Sequence, residues 1–143
     1  MSAPLTAGLR VGDELPPLAA GPISRATLAL FAGASGDHNP IHIDLDVARA
    51  AGLDDVFAHG MLSMAHLGRL VTGWVPAERL RSLQARFVSI TPVLAEPTCH
   101  GTVRELRDDG TAVLDLVVRL ADGTPTLTGT AVIDVTTPAA TGA

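Results

Sequence analysis

The chain changes its hydrophobic rhythm near residue 80: apolar residues fall at helical spacing before that point and alternate after it. The first 22 residues, with Pro4, Pro16, Pro17 and Pro22, predict an irregular entry holding one short strand. Ser24 is placed to N-cap a helix through RATLALFAGAS, with Leu28, Phe31 and Ala32 on one face. Gly33 and Gly36 weaken its end. Residues 44–51 read as a short helix of Asp, Ala and Arg closed by Gly52. Residues 59–74, HGMLSMAHLGRLVTGW, predict a third helix, ended by Pro76. Leu62, Ala65 (or His66) and Arg69 share one of its faces; Met61, Met64, Gly68 and Val71 lie near another. Its one charge, Arg69, predicts a largely buried helix, with Met61 and Met64 filling core. Gly68 and Gly73 suggest close approach of another backbone.

From Leu80 onward, LRSLQARFVSITPVL, TCHGTVREL, AVLDLVVRLA and LTGTAVIDV predict strands. Leu114, Leu116 and Val118 oppose Val113, Asp115, Val117 and Arg119, a period of two with one polar face. Turn signals at Asp108-Asp109-Gly110 and Asp122-Gly123 separate three strands of an antiparallel meander. Helices first and strands afterwards indicate an α+β fold, an antiparallel sheet wrapped around the long central helix. Four or five strands leave open edges, which makes dimerisation through an edge strand attractive.

At 143 residues the chain is expected to be one domain, with an ordered core over about 10–135 and a flexible tail at 136–143. Hydrophobic residues make up 47% of it, yet Phe31, Phe57, Phe87 and Trp74 are its only aromatics, so the core must be aliphatic. All ten basic residues are arginine and the formal net charge is −5. Without a basic cluster or stacking aromatics, nucleic-acid binding is excluded, although scattered arginines can still hold a phosphate locally. Cys99 stands alone, which rules out an intramolecular disulfide, fits a reducing compartment and suits a small core residue. The start MSAPLTAGLRVGDELPP lacks a signal-peptide stretch, and no run approaches the roughly 18 apolar residues of a membrane span. The expectation is a soluble cytoplasmic protein, bound to neither membrane nor nucleic acid.

The chemistry concentrates in Ser35-Gly36-Asp37-His38-Asn39-Pro40-Ile41-His42. Pro40 interrupts a helix there and favours a stiff loop. A carboxylate takes a proton from water and an imidazole delivers one, so Asp37 and His42 form a candidate acid/base pair. Each such group contributes roughly 10²–10⁴-fold to a rate. Asn39, between them, serves either the turn or a bound water. Ala58-His59-Gly60-Met61 opens the third helix, whose first N–H groups have no partner within it. They make an electropositive spot for a carbonyl gaining negative charge, and Gly60 lets a substrate approach closely.

The run from Phe31 to His42, FAGASGDHNPIH, resembles the signature of MaoC-like hot-dog hydratases, the (R)-specific enoyl-CoA hydratases. His59-Gly60-Met61-Leu62 is similar to the start of that family's central helix, and Arg86-Phe87-Val88 with Thr91-Pro92-Val93 to the segment completing its sheet. The likeness spans about residues 10–135. Length and GLDDVFAHGMLSM are especially similar to catalytic subunits that dehydrate 3-hydroxyacyl-ACP. The resemblance implies a hot-dog fold paired as a dimer, Asp37 and His42 as the catalytic dyad, and the Gly60 N–H on the thioester oxygen. Asn39 and His59 are assigned with Gly60 to the substrate side. It also implies syn addition of water giving the (R)-3-hydroxyacyl thioester, with no metal or redox cofactor. The sequence departs from some members at Gly68, where they carry a serine that hydrogen-bonds the aspartate; Asn39 is the candidate to orient Asp37 instead.

Several readings stay open. His38 is expected to face solvent, and His66 and His100 to be structural or surface residues. Met61 and Met64 could alternatively line an acyl tunnel. A metal set of His38, His42, His59 and Asp37 fits no zinc spacing. The carrier is CoA or, alternatively, ACP in fatty-acid synthesis, and the partner a second copy or another hot-dog subunit. A thioesterase and a non-catalytic partner subunit are the remaining functional alternatives.

Overall fold

The computed structural model describes residues 8–136. The short entry strand β1 is Leu18–Ala19, followed by α1 (Arg25–Ser35), a 3-10 turn at Pro40–His42, α2 (Leu45–Ala50) and α3 (Gly60–Thr72). A second 3-10 turn, Ala77–Arg79, leads into β2 (Leu80–Phe87), β3 (Thr98–Leu106), β4 (Thr111–Arg119) and β5 (Pro125–Asp134). The strands form one sheet in the order β1-β3-β4-β5-β2, every pairing antiparallel. The expected meander is β3-β4-β5. β2 closes onto β5, with Leu83 opposite Ala131 and Phe87 opposite Leu127, and its other edge has no strand partner among the described residues.

Local chemistry fixes the helix ends. Ser24 Oγ accepts the Thr27 N–H at 3.0 Å, and Gly36, at φ 76°, closes α1 with its N–H on the Ala32 carbonyl. Gly33 therefore lies inside the helix. Asp44 Oδ1 accepts the N–H groups of Asp46 and Val47 to start α2. α3 ends at Thr72, two residues short of the expected Trp74: the Gly73 N–H still makes a helical bond to the Arg69 carbonyl, but the Trp74 N–H tightens onto Val71. Pro76 instead opens the following 3-10 turn.

Two apolar clusters share the interior. The larger joins Leu67, Leu70 and Val71 of α3 to Val103, Leu114, Leu116, Val118, Leu127 and Ile133 of the sheet. The smaller joins Leu28 and Ala32's helix to α2 and the start of α3 through Ile23, Ala48, Val56, Ala58 and Leu62. This second cluster holds together the segments that carry the candidate chemistry.

α3 is less buried than its composition suggests. Leu67, Leu70 and Val71 face the sheet, whereas Met61 is 55% exposed and Ala65, Arg69 and Thr72 are open. Met61 is thus not core, while Met64 does pack against the larger cluster. A five-stranded sheet covers only one side of a helix, so the other side stays uncovered. The strand expected through LRSLQARFVSITPVL also stops early, at Phe87. Both the Val88 and Ser89 N–H groups turn onto the Thr126 carbonyl, Pro92 lacks a donor and Leu94 takes φ 66°. The segment then crosses to the loop before α3, where the Ala58 N–H donates to the Thr91 carbonyl at 2.9 Å. Of the expected flexible tail, residues 137–143 lie outside the described residues, and Thr136 is held by the Asp134 carboxylate through N–H and hydroxyl.

Candidate active site

The Asp37 loop is built from short-range bonds that its own sequence supplies. The Asp37 N–H donates to Ser35 Oγ, the Asn39 N–H to Asp37 Oδ1, and the Ile41 N–H to Asn39 Oδ1, each at 3.2 Å. The last two are Asx bonds, which shape tight turns. Asn39 thus orients Asp37 with its backbone, while its side-chain oxygen caps the turn that presents His42. Asp37 and His38 are exposed; His42 is buried to 8%.

His42 Nδ1 donates to the Phe57 carbonyl at 2.8 Å, since a carbonyl can only accept. That bond fixes the ring and commits Nδ1–H, leaving Nε2 as the nitrogen free to give or take a proton. The Phe57 ring packs edge-on against the imidazole, with centroids 4.7 Å apart. One side-chain atom each of Asp37, His42 and His59 lies within 4.8 Å of the others.

His59 sits behind this pair. It has no exposed surface, so the substrate contact expected of it is not available to its side chain. Its Nε2 donates to the Asp37 carbonyl at 3.1 Å, and its ring stacks on His42 with centroids 4.0 Å apart and planes at 29°. Phe31 closes the far side edge-on at 4.9 Å. Burial, with a smaller push from His42, holds the His59 pKa below the ordinary histidine value. Each imidazole of the Asp37–His42–His59 cluster already spends one nitrogen on a backbone carbonyl, His42 Nδ1 on Phe57 and His59 Nε2 on Asp37.

Gly60 begins α3 immediately after this residue, and no side chain caps the helix start. Gly60 lines a groove of about 290 Å³ with Phe57, Ala58, Phe87, Val88, Ile90, Thr91 and Leu127. Phe87 lies directly over it: a β-carbon at position 60 would stand 2.8 Å from Phe87 Cε1. Hence one end of the groove carries uncapped helix N–H groups and its wall includes Phe57, whose carbonyl holds His42. Gly68, where the resemblance led to a comparison with serine, faces Leu83 of β2. The one buried serine of α3 is Ser63, whose hydroxyl lies 3.4 Å from that of Thr91.

The sequence had no signal for two parts of this site. The Phe57 carbonyl is a backbone group 15 positions from His42, and the His59–Asp37 bond spans 22 positions. The adjacency of an imidazole to the first glycine of α3 was the available hint.

Residues 10–115 match the MaoC like domain. The chain belongs to the MaoC-like family. Among curated proteins it is similar to 3-hydroxyacyl-thioester dehydratase X of Mycobacterium tuberculosis, 33% identical over 124 residues, 80% of this chain and 39% of that protein. The MaoC-like chain therefore spans less than half the length of that relative. The solved (R)-hydratase from A. caviae involved in PHA biosynthesis superposes with a TM-score of 0.80 at 28% identity, covering 88% of this chain and 96% of that one. The ChsH1-ChsH2 complex from Mycobacterium tuberculosis gives 0.78 at 25% identity, covering 87% and 97%. These likenesses place the sheet and α3 in the hot-dog fold expected from the sequence. Among the described residues, no helix is long and apolar enough to cross a membrane.

Proposed function

We propose that this MaoC-like chain adds water to trans-2-enoyl thioesters to give (R)-3-hydroxyacyl thioesters, and catalyses the reverse dehydration. The observation that carries the reading is the His42 Nδ1–H bond to the Phe57 carbonyl. It leaves Nε2 as the working nitrogen beside the Asp37 carboxylate, on a loop adjoining an uncapped helix start.

Hydration begins with one proton on the dyad, as Asp37 carboxylate and His42 imidazolium. A water between the two side chains gives a proton to Asp37 as its oxygen bonds to C3. The C2=C3 electrons shift towards the thioester carbonyl, whose oxygen lies on the Gly60 N–H, and Nε2–H delivers its proton to C2. Asp37 then returns a proton to His42 through the next water. Dehydration runs the same steps backwards. The steps are proton transfers and the addition of water across C2=C3, with no net change of oxidation state, so the reading calls for no metal or redox cofactor.

The carrier in this reading is CoA, with ACP as the alternative. Names of relatives support the chemistry: one is a dehydratase of 3-hydroxyacyl thioesters and one an (R)-hydratase. For the assembly, we infer a dimer, homotypic or with a second hot-dog chain, built across the open edge of β2. Met61 (55%), Phe87 (51%) and Ile90 (46%) are exposed beside that edge, and burying them would complete the groove wall.

The test is purified protein with crotonyl-CoA and longer enoyl-CoAs, following loss of the enoyl-thioester absorbance. Turnover of at least one is expected, with Asp37→Asn and His42→Ala each lower by about 10² or more while still folded. Release of free CoA from a saturated acyl-CoA without hydration would indicate a thioesterase instead. Turnover only with an added partner chain would indicate a heterodimer, with this chain its catalytic subunit if Asp37→Asn abolishes that turnover and a shaping subunit if it does not.

A further inference from the structure

We propose that His59 is a positioning residue that locks both members of the dyad from behind, and this rests on the hydration reading above. With no exposed surface, the His59 side chain is closed to a substrate in the groove. A buried imidazole with only a structural duty is expected to satisfy both its nitrogens, yet Nδ1 has no hydrogen-bond partner. The site tolerates that cost, and its two good contacts both go to the dyad.

The first contact is Nε2–H on the Asp37 carbonyl at 3.1 Å. Asp37 is an exposed loop residue, and the other bonds that fix it come from its own neighbours in the loop. The His59 bond alone ties its backbone to the protein interior among those described. The second contact is the stack on His42 at 4.0 Å, which, with the Phe57 carbonyl, fixes the imidazole plane. Both contacts originate from the residue before Gly60, so the placement of dyad and helix start is set by one short segment. Phe31 of α1 supports the ring from behind. The tautomer follows: Nε2 carries the hydrogen and Nδ1 the lone pair. The titratable groups facing His59 are Asp37 and His42, and burial keeps it neutral beside them. A neutral ring in the stack leaves the dyad's single proton to Asp37 and His42.

Three variants separate the contacts. His59→Phe keeps a stacked ring and loses the donor, His59→Gln keeps an amide donor near the Nε2 position, and His59→Ala loses both. For crotonyl-CoA hydration, His59→Phe is expected to lower kcat by about tenfold or more with KM changed less than about threefold, because ground-state binding is untouched. His59→Gln is expected to recover several-fold over Phe, and the acid limb of the kcat/KM profile to move in both Phe and Ala. Imidazole nitrogen NMR gives a readout independent of activity: wild-type His59 is expected as the neutral Nε2–H tautomer, and the His42 titration to shift in His59→Phe and His59→Ala. Observing wild-type His59 as the Nδ1–H tautomer overturns the proposal. So does an unchanged His42 titration in the folded variants, or kcat within about twofold of wild type in both Phe and Ala. Should wild type hydrate no enoyl thioester, the hydratase reading fails while the NMR result still decides the role of His59.

Discussion

Gly60→Ala separates the oxyanion argument from the folding argument. A β-carbon at this position would lie 2.8 Å from Phe87 Cε1 and 3.0 Å from Cδ1. Carbon atoms in contact rest at about 3.5–4.0 Å, so the ring must retreat by roughly 0.7 Å or more. In the single chain it can do so, because Phe87 is the last residue of an edge strand and 51% exposed; in the inferred dimer the partner would limit that retreat. Against that modest strain stands the gain from replacing glycine in a helix, up to about 1 kcal/mol and less in the first turn. The two effects oppose, and the net change in stability is expected within about 1 kcal/mol.

Activity has no such compensation. A thioester oxygen has to come within about 2.9 Å of the Gly60 nitrogen. The added methyl points at Phe87, and both residues line the groove through which that oxygen arrives. Loss of one oxyanion donor costs roughly 10²–10³-fold in kcat, about 2.7–4 kcal/mol, and that is the expected fall for Gly60→Ala. The assay is enoyl-CoA hydration kinetics beside thermal melting. The double variant Gly60→Ala/Phe87→Ala removes the displaced ring, and recovery of about tenfold or more assigns part of the loss to it. An activity within about threefold of wild type at an unchanged Tm refutes the placement of the carbonyl on Gly60.

Other expectations follow from the same geometry. Cys99 is fully buried and its thiol is pushed up to about 11 by burial, so native protein at pH 8 should resist alkylation and become reactive only when denatured. A β-carbon at Gly129 would lie 2.6 Å from the Gln84 carbonyl oxygen, a backbone atom that cannot yield, so Gly129→Ala should destabilise by about 1–3 kcal/mol in urea unfolding. His59 and His66 are both held below the ordinary histidine pKa by burial, His66 further by Arg69. The unfolded chain therefore takes up these protons first. The stability they lend is complete above about pH 6.5 and is lost as pH falls through their lower folded values. Urea midpoints should drop between pH 8 and 5, and His66→Gln should flatten that slope; equal midpoints across the range would contradict it.

What the sequence made legible here was local. The Ser24 cap, the glycine at the end of α1 and the turn at Asn39 join residues no more than four apart, so residue type and spacing announce them, whereas the Asp44 cap and the Asp37 Asx bond were not read. β3, β4 and β5 were legible for a related reason: turn residues and alternation are read within a short window. β2 was misread at its end because TPV continues the apolar run, while the bonds that divert the chain come from Thr126, far along it. The exposed flank of α3 escaped for a different reason. Composition shows how much of a helix is apolar, but how much of it is covered depends on the width of the sheet against it.

The same division explains why Asp37 and His42 could be proposed from the sequence while the groups that hold them in place could not. An acid/base pair has to be made from side chains that carry ionisable groups, so its residue types stand out in an aliphatic sequence. Its supports need only a carbonyl in the right place, and any residue supplies one. Phe57 acts on His42 through its backbone, and His59 grips Asp37 through the backbone of the aspartate itself. A substitution of Phe57 that preserves the chain path, such as Phe57→Leu, therefore removes the edge-on ring at 4.7 Å while leaving the carbonyl in place. It should reduce hydration by less than about tenfold, far less than loss of His42. If Phe57→Leu instead matched His42→Ala while staying folded, the ring and not the carbonyl would be what holds the imidazole, and the assignment of Nε2 as the working nitrogen would lose its basis.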